Sequence, residues 1–131
     1  MILDFMFPKI DVIVSPEIWI FRTRSQKIEI PTYIFLKDGC ILSIGETASG
    51  GERMDLFAEG TQNHNSVYLD CLASFLKHGI RKVMGKGLLI RPGIRFINVE
   101  SLHACMGGQK AKILHEISQR SGVNRVEIFR T

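Results

Sequence analysis

Hydrophobic and polar positions alternate through the first third of the chain in the manner of strands. Ile10, Val12 and Val14 fall at every second position and predict a strand from Lys9 onward, which Pro16 interrupts. A second apolar run, Ile18-Trp19-Ile20-Phe21, leads into the polar turn Thr23-Arg24-Ser25-Gln26. The third run, residues 28–36, is rich in β-branched and aromatic side chains and carries Pro31, which suits an edge strand or a bulge. Lys37-Asp38-Gly39 is a hairpin signal, and residues 40–44 read as the returning strand. Three or four strands, mostly antiparallel, are expected before Glu46.

The pattern then changes period. Gly50-Gly51 and the Asn/His/Gln cluster at 62–65 mark loops, with a helical turn expected around residues 52–59. Ser66 reads as a cap. After it Leu69, Leu72, Ala73, Leu76, Ile80 and Val83 fall on one face of a helix that Gly85 and Gly87 end. Residues 94–99 predict a strand, 100–108 a loop and 109–121 a second amphipathic helix through Ile113, Leu114 and Ile117. Gly122 stops that helix, and residues 126–129 read as the last strand. Helix-to-strand alternation in this half implies parallel pairing with right-handed crossovers.

Composition narrows the class. A chain of 131 residues with 45% apolar and 23% charged positions is a globular domain, taken as one unit over 1–131. The charge of +4, from 17 basic and 13 acidic residues, permits an anionic partner without requiring one. Cys40, Cys71 and Cys105 are odd in number and form no CxxC pair, so reduced thiols and a cytoplasmic location are expected. No apolar run reaches the roughly 18 residues of a membrane span. The apolar start, with Leu3, Phe5 and Phe7, lacks the basic lead and cleavage site of a signal peptide.

The order of three antiparallel strands, helix, strand, helix, strand resembles the ribonuclease H-like half of actin-type folds. Particular segments resemble the MreB-like bacterial actin family, collinearly over most of the chain. Met6-Phe7 leading to Ile10-Asp11 is similar to the start of that family's first strand. Ile30-Pro31-Thr32-Tyr33-Ile34, with Ile41-Leu42-Ser43-Ile44-Gly45-Glu46, resembles its third strand and the segment after it. Phe75-Leu76, Ile80-Arg81-Lys82-Val83 and Arg91-Pro92 resemble the end of its first long helix and the approach to the next strand. Gly122 followed by Val126-Glu127-Ile128-Phe129 resembles its later helix-to-strand step. The resemblance implies an α/β, ribonuclease H-like subdomain: a mixed sheet of about five strands with two main helices.

The departures bear on function. The family's first strand runs into a phosphate-binding hairpin, Asp-Leu-Gly-Thr-Ala-Asn-Thr, whose glycine lets backbone N–H groups approach the nucleotide. Here the stretch is Asp11-Val12-Ile13-Val14-Ser15-Pro16-Glu17. Only Asp11 matches, Ser15 is the one hydroxyl left, Pro16 has no N–H and Glu17 adds negative charge. The resemblance also stops short of the second half that completes a nucleotide site. No cofactor and no catalysis are therefore expected.

The same residues admit other chemistry. A Mg-dependent nuclease would need Asp11, Asp70 and Glu100 to converge on metal ions. His103 with Cys105 could start a metal or Cys/His site but has no further ligand at recognisable spacing. Ser101 with His103 lacks the flanking glycines of a nucleophile elbow, and Gly107-Gly108-Gln109-Lys110 lacks P-loop spacing. Lys77, Arg81, Lys82, Lys86, Arg91 and Arg95 cluster in sequence and could form a basic nucleic-acid-binding patch, although a solvated face explains them more simply. The resulting expectation is a non-catalytic assembly or interaction module of MreB-like, cell-shape type. It forms a homo-oligomer or joins a full-length actin-like relative through Trp19, Phe21 and Phe35. Leu3, Phe5 and Phe7 are the candidates for peripheral membrane contact.

Overall fold

The computed structural model describes residues 9–58, 66–85, 92–123 and 125–129. The early alternation becomes three antiparallel strands, β1 (Lys9–Ile13), β2 (Ile18–Arg22) and β3 (Lys27–Pro31). The third apolar run does not continue as one strand. It breaks at Thr32, where β4 (Tyr33–Lys37) begins and pairs instead with β5 (Cys40–Ile44) and β6 (Glu52–Asp55) in a smaller sheet of order β5-β4-β6. Pro31 cannot donate to a ladder, and Thr32 turns its own groups toward the first turn: its N–H bonds Glu17 O at 3.1 Å and its hydroxyl bonds Pro16 O at 2.6 Å.

The hairpin between β4 and β5 is as expected. Asp38 and Gly39 both take positive φ, 53° and 78°, which is the backbone of a two-residue primed turn. Residues 52–58 differ from expectation: Glu52–Asp55 is a strand and no helix follows it among the described residues, while Glu59, the end of the expected turn, lies outside them. Glu, Arg and Met favour helix in isolation, but here Met54 pairs with Ile34 and Arg53 with Phe35, and pairing overrides propensity.

The second half supplies α1 (Ser66–Met84), β7 (Gly93–Ile97), a helical run and β8 (Arg125–Ile128). The expected loop at 100–108 is helical: a 3-10 turn over Val99–Leu102, α2 (His103–Met106) and another turn at Gly107–Gln109 lead into α3 (Lys110–Arg120). Gly107, at φ 59°, breaks what would otherwise be one helix. β7 pairs parallel to β1 and β8 parallel to β7, so the main sheet has the order β3-β2-β1-β7-β8.

The crossovers β3 to β7 and β7 to β8 both step across the sheet in the same direction. Right-handed crossovers then put their helices on the same face, where α1 and α3 pack on each other. Ile10, Val12, Val14, Trp19, Phe21, Ile94 and Phe96 point to that face and join Leu72, Phe75, Leu76, Leu114 and Ile117 in one buried cluster. Ile34 of the smaller sheet belongs to the same cluster.

Closest approach falls at Gly79. A methyl group there would lie 2.1 Å from the Phe21 ring, so α1 needs a residue without Cβ to sit on β2. Replacing glycine by alanine inside a helix ordinarily stabilises by about 1 kcal/mol. Gly79→Ala is expected to destabilise instead, by about 1–3 kcal/mol from overpacking, read as a lower midpoint in urea unfolding.

Candidate functional site

The first turn joins β1 to β2 beside the end of β7. Its hydroxyl is occupied: Ser15 Oγ accepts from Ile18 N–H at 3.1 Å and donates to Ile18 O at 2.5 Å. Its carbonyls are held as well. Val14 O accepts from Asn98 Nδ2 at 3.2 Å and from Ser101 Oγ at 3.0 Å, while Thr32 takes those of Pro16 and Glu17. Asn98 reaches back from a left-handed backbone, φ 69°, a conformation asparagine tolerates better than most residues. Sequence reading did not single out Asn98, and it considered Ser101 only as a nucleophile. A lone asparagine after a strand is a weak signal without the neighbouring turn.

Asp11 lies on the side of the sheet opposite the helices. It forms ion pairs with Arg22 and Arg95, each at 2.9 Å, and Arg95 also hydrogen-bonds it through Nε at 3.0 Å. Partial burial pushes the carboxyl up, but the hydrogen bonds and charges of Arg95 and Arg22 outweigh that and hold it below the ordinary carboxylate value.

The other two carboxylates of the nuclease arrangement are elsewhere. Asp70 on α1 pairs with Arg120 of α3 at 2.6 Å, latching the helices together, and Glu100 pairs with Lys110 at 3.6 Å. Among the described residues, no group of three or more His, Cys, Asp and Glu is placed to hold a metal ion. The His103-Cys105 pair also separates: Cys105 is buried with its thiol donating to Phe57 O at 2.9 Å, whereas the exposed His103 ring meets Lys110.

The basic cluster divides too. Lys77, Arg81 and Lys82 ride on α1, and Arg95 is on the opposite face of the sheet bound to Asp11. Lys86 and Arg91 lie outside the described residues, as do Leu3, Phe5 and Phe7. Among the described residues no helix is long and apolar enough to cross a membrane.

Two of the three aromatic contact candidates are overturned. Trp19 and Phe21 are both 0% exposed. In β2 it is Ile18, Ile20 and Arg22 that face outward, and the aromatics fill the core because only their side of the strand is covered by helix. Trp19 stacks on Phe57 at 5.4 Å and meets Phe75 edge-on at the same distance, and its indole N–H has no hydrogen-bond partner among the described residues. Phe35 is half-buried on the smaller sheet. It meets Tyr33 edge-on at 6.0 Å, and Arg53 sits 4.0 Å over the Tyr33 ring.

No protein-family model matches the chain, and no curated protein matches it.

Two outcomes check these placements. The lowered folded-state value of Asp11 means its stabilisation is complete above the ordinary carboxylate pKa and is lost as pH falls through the lower folded one. Asp11→Asn is therefore expected to flatten the fall of stability below about pH 4, by a modest amount because the ion pairs are solvent-screened. Trp19 is the single tryptophan, so its fluorescence is expected to be blue-shifted from that of the unfolded chain and shielded from iodide.

Proposed function

We propose that this chain is a non-catalytic assembly or interaction module with a ribonuclease H-like core, akin to the N-terminal half of MreB-like cell-shape proteins but independent of nucleotide. The observation that carries the reading is the first turn: the Ser15 hydroxyl is spent as both donor and acceptor on Ile18. A phosphate-gripping hairpin offers its donors outward. This one has turned its hydroxyl inward, has no N–H at Pro16 and carries an exposed carboxylate at Glu17.

The main sheet lends support to the fold part of the reading. Three antiparallel strands joined in parallel, through helical crossovers, to two later strands is the arrangement the ribonuclease H-like resemblance requires. The nuclease alternative has no comparable support, since Asp11 already balances two arginines and Asp70 latches two helices. Homo-oligomerisation or pairing with a full-length actin-like relative, in the cytoplasm and at its membrane face, completes the proposal.

Titration calorimetry with Mg-ATP tests it. No heat of binding is expected, and micromolar affinity overturns the nucleotide-independent reading.

A further inference from the structure

We infer that the face of the main sheet opposite the helices is a self-complementary surface on which a second copy of this chain docks, an inference that rests on the assembly reading above. Both helices and the smaller sheet bury their side chains in the cluster on the other face, so the outward positions of β1, β2, β7 and β8 have no covering element among the described residues.

Three register rows cross this outward face; the third holds Lys9, Gly93 and Arg125, and β3 adds Lys27 beside Arg22 and Glu29 beside Ile20. In one, Arg22, Asp11, Arg95 and Glu127 stand side by side on β2, β1, β7 and β8. Over these four strands the signs alternate, plus, minus, plus, minus, and Lys27 of β3, next to Arg22, ends the alternation. The adjoining row holds Ile20, Ile13 and Ile97. Phe129 extends it beyond β8, where its N–H bonds Phe96 O at 2.8 Å, its ring is 43% exposed, and Arg95 stands 4.9 Å over it.

A row that alternates over four strands becomes its own complement when rotated about its midpoint. Consider a two-fold axis parallel to the strands and lying over the β1–β7 boundary. It sets β2 of one copy over β8 of the other, and β1 over β7. Arg22 then faces the second copy's Glu127, and Asp11 faces its Arg95, so each of these four charges meets its opposite, while Lys27 and Glu29 overhang the second copy's β8 edge and Arg125 falls past the end of its β2. In the apolar row Ile20 faces Phe129 and Ile13 faces Ile97. Lys9 falls over Gly93, which presents no side chain to obstruct it. No other pairing of strand columns about an axis parallel to the strands matches all four charges. An axis over β1 itself, for example, sets Arg22 against Arg95 and Asp11 against itself.

The surface is small. Four strands about 4.8 Å apart, each contributing about 17 Å of length, give a footprint of roughly 300 Å². That is well under the roughly 800 Å² per partner of a standard stable interface, so the dimer is weak, reversible and dependent on concentration. Isologous pairing of aligned sheets is a familiar packing mode.

Sedimentation equilibrium of the full chain over a concentration series tests the inference. Wild type is expected to shift from monomer toward dimer. Arg22→Glu and Glu127→Arg are each expected to weaken self-association roughly tenfold or more, and their equimolar mixture to restore it, because each reversed charge then meets the other. Arg22 also holds Asp11 within its own sheet, so Ile20→Lys provides a variant with no ion pair at stake, and the same loss is expected. Circular dichroism melting confirms that each variant is folded. A dimer that neither charge reversal nor Ile20→Lys weakens sinks this surface and leaves assembly standing, whereas a strict monomer at the highest attainable concentration sinks this surface together with the homo-oligomer form of that reading. Mg-ATP binding with the dimer intact overturns the nucleotide-independent reading and leaves this face untouched.

Discussion

Both helical crossovers step across the main sheet in the same direction, and the one-sidedness that results governs the rest of the structure. Because a right-handed crossover cannot place its helix on the far side, α1 and α3 cover one face together and pack on each other there. Every inward residue of β1, β2 and β7 becomes core, and the outward ones, Gly93 apart, stay in contact with solvent. Trp19 and Phe21 are core for that reason, and Ile13, Ile20 and Ile97 are not. Gly79 shows how tightly the covered side is closed, with the Phe21 ring occupying the space a side chain would need.

The same division sets the electrostatics. Asp11 is on the central strand but on the open side, so its carboxylate is neutralised by neighbouring strands and not by the helices. Arg22 comes from β2 and Arg95 from β7; Arg95 is 84 positions from Asp11 in the chain, and the parallel pairing of β1 with β7 sets those two side by side. A carboxylate held between two guanidinium groups is poorly suited to gather a divalent cation, since metal binding would have to displace both ion pairs. At the end of the same strands, Asn98, Ser101 and Thr32 converge on the carbonyls of the first turn. That end of the sheet is thus bonded to itself.

Much of this was legible in the residues. The alternation of Ile10, Val12 and Val14, the Asp-Gly turn and the helical spacing from Leu69 to Val83 each mark an element by local chemistry, and each is present. The errors share a cause. Residues 52–55 have helix-forming side chains but an unpaired edge of β4 available to them, and residues 100–108 contain glycines that read as loop but themselves form a 3-10 turn between two helical segments. Local pattern cannot register a distant pairing partner. The candidate-site reading failed in the same way: Lys77, Arg81, Lys82 and Arg95 are neighbours in sequence, yet the sheet stands between Arg95 and the helix that carries the others.

The amino-acid sequence by itself determined the class of the fold and the chemistry of the first turn, because strand period, helix period, and a serine followed by a proline act over a few residues. It also determined that β2 has two unlike faces, one aromatic and one of isoleucine and arginine. Which face is buried was decided only by tertiary structure. That choice depends on the direction of the chain's crossovers, and no short stretch of sequence contains it.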